Sequence, residues 1–170
     1  MRSLRRIGGI GIRKMITIER PGQEPLQIEF ILIDFEGTLA SDHRVHPKAK
    51  DKINLLSKRT KIYILTKGEK ELVEETLKKV KAEIFYLMEG EISQRKIELM
   101  RQLGATRTVA IGNGLDDAPM IEEAGLGICV IGKEGASAET MKKADVVVLN
   151  ILDALDFLLK PLRQKATLGK

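Results

Sequence analysis

The chain has 170 residues, with 29 basic against 24 acidic side chains and a single cysteine. That length suits one domain with a proper core, and one cysteine excludes an intramolecular disulfide and agrees with a reducing, cytoplasmic setting. No apolar run approaches the length needed to cross a bilayer, so membrane insertion is not expected.

The net charge of +5 is concentrated at one end. Arg2, Arg5, Arg6, Arg13 and Lys14 lie in residues 1–14, which hold no acid, so residues 15–170 carry 24 charges of each sign. Residues 1–14 read as a basic N-terminal extension, expected to be poorly ordered rather than an arm for nucleic acid or acidic lipid. Residues 15–170 read as a single domain, and nucleic acid is not expected as a partner.

In chain order, strands are expected near 16–19 and 27–33, joined as a hairpin by the Pro21-Gly22 turn. Phe30 to Ile33 form a continuous apolar run, as in a strand buried on both faces of a parallel sheet. The run stops on Asp34, followed by Gly37 and Thr38 with their backbone N–H groups. Asp34 there is either a nucleophile or metal ligand at the carboxyl end of a strand, or an Asx-turn that closes it.

A helix is expected over 47–58, with Ala49, Ile53 and Leu56 inward. A strand over 61–65 ends on Thr66. The next helix, over 69–81, is expected to turn Leu72, Thr76 and Val80 inward, and a strand near 83–87 follows. The segment 91–103 reads as an amphipathic helix with Ile92, Leu99, Met100 and Leu103 on its stripe. Lys96 falls inside that stripe, and a lysine is rarely buried without a partner. An inward ammonium facing carboxylates or a phosphate fits this position better than a snorkelling side chain.

A strand over 108–111 runs into Gly112-Asn113-Gly114-Leu115-Asp116-Asp117. Three apolar strands thus bring an Asp, a hydroxyl and an Asn/Asp cluster to one edge of one sheet. Helices near 116–124, 136–143 and 151–160 and strands near 127–131 and 145–149 complete an alternation that implies an α/β fold. Its expected form is a Rossmann-like doubly wound parallel sheet covered on both faces, with an N-terminal β-hairpin.

Other patterns carry no function. Gly127 to Glu134 nearly spells a P-loop but ends on Glu134 instead of Ser or Thr, and Ile128 to Ile131 read as a strand. Gly8, Gly9 and Gly11 do not fit GxGxxG. His43 and His46 lack partners at metal-ligand spacing and read as solvated loop residues, and Cys129 reads as a buried core thiol.

DFEGTL, the strand-ending Thr66, Lys96 and GNGLDDAPM resemble, in order, the four motifs of the haloacid dehalogenase (HAD) superfamily of phosphohydrolases. IEEAGLGICVIGKEGA and ADVVV further resemble the phosphorylation domain of P-type ATPases. The whole of 15–168 is similar to the archaeal soluble P-type-ATPase-like HAD hydrolases. The resemblance implies a hydrolase in which Asp34 attacks phosphorus to form an aspartyl-phosphate and Glu36 acts as general acid and base. Gly37, Thr38, Thr66 and Lys96 would hold the phosphoryl group, with Lys96 also neutralising Asp34. The implied cofactor is Mg2+, held by Asp34, the backbone carbonyl of Glu36, Asn113 and Asp117, with Asp116 between the last two.

Two departures from the superfamily pattern bear on rate. Glu36 stands where phosphatases usually carry Asp, and Asn113 replaces the first Asp of the metal motif, so slowed phosphatase activity is expected. The alternative is a non-enzymatic phosphate-binding or regulatory protein with a weakened metal site. Thirty-one residues separate Asp34 from Thr66 and twenty-nine separate Thr66 from Lys96. Neither interval holds a cap domain, so an open, capless site is expected. It would accept phosphorylated substrates, large ones included, or be covered by a neighbouring subunit in a homo-oligomer.

Overall fold

The structure, a computed structural model, describes residues 14–88 and 90–169. The expected basic extension, Lys14 apart, lies outside the described residues. Strands β1 (Ile16–Ile18) and β2 (Leu26–Ile28) form the antiparallel N-terminal hairpin. At its turn the Gln23 N–H donates to the Arg20 carbonyl at 2.8 Å. Gly22 takes the positive φ of +82° that the third position of a type II turn requires.

The strand expected over 27–33 is two strands. β3 (Phe30–Asp34) leaves the hairpin for the main sheet, and the break falls on Glu29. There the backbone changes partners: the Glu29 N–H donates to the Arg107 carbonyl, and the Glu29 carbonyl accepts from the Lys61 N–H, both at 2.9 Å. The Arg107 guanidinium pins the crossing, 3.0 Å from the Glu29 carboxylate and 5.4 Å from the Phe30 ring centre.

After β3 come a small hairpin of β4 (Ala40–Ser41) and β5 (Arg44–Val45), then helix α1 (Pro47–Leu56). The hairpin was not expected; Asp42 and His43 make its two-residue turn with positive φ values of 50° and 61°. His46 caps α1, its Nδ1 accepting from the Lys48 N–H at 3.0 Å. The chain continues through β6 (Lys61–Thr66), α2 (Lys70–Thr76), β7 (Glu83–Tyr86), α3 (Ile92–Leu103) and β8 (Thr108–Gly112). It ends with α4 (Ala118–Glu123), β9 (Leu126–Val130), α5 (Ala138–Lys143), β10 (Val146–Val148), α6 (Ile151–Leu159) and α7 (Pro161–Leu168).

Six strands form one parallel sheet in the order β10-β9-β8-β3-β6-β7. Alternate residues feed two cores. Ile31, Ile33, Ile62 and Ile64 face the layer of α1 and α6, together with Ile18 and Ile28 of the hairpin. Leu32, Leu65 and Ala110 face Met100 of α3 and Met120 of α4. The intervals on either side of Thr66 are filled by these small elements and layers, which leaves no room for a cap.

Two helix expectations need correction. The inner face of α2 is Val73 and Leu77, whereas Leu72 is 64% exposed. The helix is also short, ending in a turn in which Lys79 has φ of 66°, so Thr76 and Val80 do not continue one stripe. Helix α7 was not expected; Pro161 stands in its first turn, where its missing N–H is harmless. Among the described residues, no helix is long and apolar enough to cross a membrane.

Candidate active site

In the parallel sheet the first strand, β3, sits in the middle, with the second beside it at β6 and the fourth on its other side at β8. The order in which successive strands are added reverses between β3 and β8, and the crevice beyond their carboxyl ends is where ligands of such sheets bind. Asp34 ends β3 on one side of that crevice, and the Asn113–Asp117 loop leaves β8 on the other.

Lys96 enters from the middle of α3. Its side chain is 1% exposed, and its Nζ lies 2.9 Å from Asp34 Oδ1, 3.0 Å from Asp116 Oδ2 and 2.6 Å from Asp117 Oδ1. The stripe reading of this lysine therefore holds: it is inward and faces carboxylates. Burial by itself would lower the Lys96 pKa, but Asp34, Asp117 and Asp116 outweigh it and raise it, so the ammonium stays charged. One cation cannot satisfy three acids. Burial pushes the Asp34 carboxyl well above the usual range, and the charge of Asp117 adds to the push against the pull of Lys96. Asp117 is raised as well, again chiefly by burial.

The backbone after Asp34 winds tightly. Leu39 N–H donates to the Asp34 carbonyl at 3.2 Å, Ala40 N–H to that of Phe35 at 2.8 Å, and Gly37 N–H to that of Ala40 at 2.9 Å. The Gly37 N–H, expected to meet a phosphoryl group, is thus committed within its own loop. Thr38 is buried, and its hydroxyl lies 3.2 Å from Asp34 Oδ2 and 2.9 Å from Asn113 Oδ1. Carrying one proton, that hydroxyl donates to one of the two oxygens at a time.

Asn113 is held in one orientation. Its Nδ2 donates to the Gly135 carbonyl at 3.1 Å, so its Oδ1 is the atom turned to Thr38. Asp117, by contrast, has both oxygens engaged: Oδ1 with Lys96, and Oδ2 accepting from the N–H groups of Asn113 at 3.0 Å and Gly114 at 3.1 Å. Expected as a metal ligand, Asp117 is placed here as the support of Lys96 and of the loop.

Glu36 and Thr66 meet. The Thr66 hydroxyl donates to Glu36 Oε1 at 2.5 Å and accepts from the Gly68 N–H at 2.9 Å. Lys67 N–H adds a 3.2 Å contact to the same Glu36 oxygen. To hold a phosphoryl oxygen, as expected of it, Thr66 must release Glu36. The other carboxylate oxygen, Glu36 Oε2, is buried and accepts no hydrogen bond among the described residues.

Sequence reasoning missed Glu134, which it met only as the wrong last letter of a P-loop. Gly37 adopts φ of +77°, and a Cβ built there would collide with the Glu134 carboxylate and lie 2.8 Å from Asn113 Nδ2. Glu134 therefore overhangs the loop after Asp34. No spacing signal marks it, because it stands in an irregular loop.

Among the described residues, no group of three or more His, Cys, Asp or Glu side chains is arranged to enclose a metal. Three oxygens nonetheless face the crevice without a full set of donors: Asp34 Oδ2, Asn113 Oδ1 and the Glu36 carbonyl, which accepts no backbone N–H among the described residues. An all-oxygen set of this kind suits a hard cation.

Solved structures share this arrangement of strands and helices. A structure assigned to the HAD superfamily (subfamily III A), from Legionella pneumophila, matches with a TM-score of 0.66 at 20% identity, over 83% of this chain and 86% of that one. The chain has the HAD fold. Also similar are two 3-deoxy-D-manno-octulosonate 8-phosphate phosphatases with that fold. The Moraxella catarrhalis protein, solved with magnesium and phosphate, has a TM-score of 0.65 at 17% identity over 79% of this chain and 87% of that one. The cobalt-bound Haemophilus influenzae protein has a TM-score of 0.66 at 19% identity over 82% and 88%. By sequence, an uncharacterized protein of Methanocaldococcus jannaschii is 47% identical over 79 residues, which is 45% of this chain and 85% of that protein. The chain belongs to one family with it. No family profile matches the sequence.

Proposed function

We propose that this HAD-fold protein is a cytoplasmic phosphohydrolase that works through an aspartyl-phosphate at Asp34 with Mg2+ as its cation. The observation that carries the reading is the buried Asp34 carboxylate at the switch point, with one oxygen on Lys96 and the other on Thr38. A nucleophile so fixed has a defined line of attack, and phosphoryl transfer asks mainly for alignment and charge stabilisation. Support comes also from the fold, which it shares with phosphatases solved with magnesium, phosphate or cobalt.

Asp34 forms the new O–P bond as the leaving oxygen departs, and Glu36 Oε2, the carboxylate oxygen without a hydrogen-bond partner, gives that oxygen its proton. Lys96 offsets charge on the transferring group. Glu36 then takes a proton from the water that hydrolyses the acyl phosphate, which frees Asp34 and releases phosphate. Mg2+, held by Asp34, Asn113 and the Glu36 carbonyl, would supply charge stabilisation to the phosphoryl oxygens. The substrates are phosphomonoesters or acyl phosphates, large ones included, since the site lies uncapped.

The test is hydrolysis of acetyl phosphate and a generic phosphomonoester with and without Mg2+, with intact mass run under acid quench. Turnover that depends on Mg2+, with one phosphate added to the protein, is the expected result; absence of both defeats the proposal. The neutral Asn113 favours a second reading, a phosphate-binding protein without turnover, and that outcome would then stand.

Glu36→Gln tests the proton transfers. It keeps an acceptor for Thr66 and Lys67 but cannot move a proton, and general acid–base catalysis typically supplies about 10²–10⁴-fold. Acetyl phosphate has a good leaving group and needs little help in the first step, so with it the variant should accumulate phosphoenzyme. Unchanged steady-state rates would remove Glu36 from the mechanism.

A further inference from the structure

Glu134 lies outside the four HAD-like motifs, yet its carboxylate reaches the loop after Asp34. It belongs to the stretch between β9 and α5, and that stretch and α5 are together bonded to the loop after β8 at three points. Asn113 Nδ2 donates to the Gly135 carbonyl at 3.1 Å, Ser137 N–H donates to the Asn113 carbonyl at 2.8 Å, and the Thr140 hydroxyl donates to the Gly114 carbonyl at 2.8 Å. Gly132 packs against the other side of the crevice, where a Cβ on it would lie 3.4 Å from the Gly37 carbonyl. The backbone on both sides of Glu134 is thereby fixed to the two loops that hold Asp34 and Asn113.

The side chain exploits that placement. Its Oε2 occupies the space that a Cβ on Gly37 would take, and both side-chain atoms of Asn113 border the same space, at 2.8 and 3.3 Å from that Cβ position. Only glycine at 37 leaves that space free for the Glu134 carboxylate. No hydrogen bond or ion pair holds the Glu134 carboxylate among the described residues. An anion stationed beside a neutral amide, with no cation of its own, is a ligand set short of its ion.

Charge decides what the ion is. Asp117 is committed to Lys96 and to two N–H groups, so of the three oxygens named above for the cation, Asp34 Oδ2, Asn113 Oδ1 and the Glu36 carbonyl, one belongs to a carboxylate. Divalent cation sites tune their affinity by the number of charged ligands, and a single carboxylate makes a weak one. We propose that Glu134 is a further carboxylate of the divalent-cation site and supplies the negative charge that Asn113 does not. The inference rests on the reading that this crevice takes a divalent cation. It goes beyond that reading by drawing a ligand from a loop that none of the four motifs includes.

Binding of Mn2+ to the full chain, followed by the paramagnetic resonance of the free ion with Mg2+ as competitor, tests the assignment without any turnover. Glu134→Gln keeps shape and removes charge, and it should weaken Mn2+ and Mg2+ binding by roughly tenfold, the lower end for changes around metal sites. Asn113→Asp placed in that variant should bring the affinity back. Thermal unfolding without cation should be unchanged by Glu134→Gln, since the side chain is exposed, so a loss of binding would not reflect misfolding. Equal affinities in wild type and Glu134→Gln overturn the inference and leave the proposed function standing. A wild-type protein that binds no Mn2+, or binds it equally well as Asp34→Ala, overturns the cation reading and this inference with it.

Discussion

Lys96→Met should lose turnover and, without divalent cation at pH 7, on the order of 10 °C of thermal stability. The reasoning is electrostatic. Lys96 is the common partner of Asp34, Asp116 and Asp117, and its ammonium is almost wholly buried. Breaking a buried pair by removing one member costs about 3–5 kcal/mol, because the remaining charge has neither water nor partner. In a chain of this size each kcal/mol moves the midpoint by about 2–4 °C. Methionine fills much of the same volume, so a cavity is not the cause. The deficit should shrink toward pH 5, as Asp34 and Asp117, both raised by burial, take up protons. A scan that finds the midpoint unmoved at pH 7 would show that the lysine is not what holds these carboxylates together.

Asp34→Asn should abolish both covalent labelling and turnover, because the amide cannot act as the nucleophile. Its effect on stability should run the opposite way. The folded-state pKa of Asp34 lies well above its ordinary value, chiefly from burial. The folded state therefore holds a proton that the unfolded state has released once pH exceeds the ordinary carboxylate range near 4. Where the native state binds more protons, stability falls as pH rises, and it keeps falling until the folded pKa is passed. At neutral pH and without cation, Asp34 is a liability to the fold, so Asn at 34 should raise the midpoint, more at pH 7 than at pH 4. Mg2+ should raise the wild-type midpoint and leave that of the variant nearly still. A variant that is inactive and also destabilised at pH 7 would mean that Asp34 contributes more to holding Lys96 than it loses by burial.

The fold was legible in the sequence because buried parallel strands are short, continuous apolar runs. Phe30 to Ile33, Ile62 to Leu65 and Val109 to Ile111 each lead into the candidate site. Lys96 was legible for a different reason: a charge inside an apolar stripe needs a partner, and that partner could only be an anion. Other features carried no such signal. The break at Glu29 depends on backbone bonds to Arg107 and Lys61, which are distant in sequence. The phase of α2 failed because Leu72 and Val73 are adjacent and equally apolar, so the pattern does not say which turns inward. At Asp117 the sequence pointed to a metal ligand, and the geometry shows both of its oxygens engaged with Lys96 and backbone N–H groups. Motif spacing reports which loop a carboxylate belongs to, not whether its oxygens face a crevice or a lysine. Glu134 was invisible because its importance comes from a glycine almost a hundred residues away.

The central position of β3 also has a consequence for synthesis. Of the six parallel strands a nascent chain makes β3 first, and β6 can cover one of its edges once Thr66 has been made. Its other edge must wait for β8, which is complete only at Gly112. Until then Ile31, Leu32 and Ile33, fully buried at the end, lie in a strand with an open side, and open strand edges recruit other chains. Asp34 rides on that same strand, so the second half of the candidate site cannot assemble before β8 docks. Topology therefore keeps the proposed phosphoryl chemistry from starting on a half-made chain, and the interval before docking is when a chaperone would be of most use.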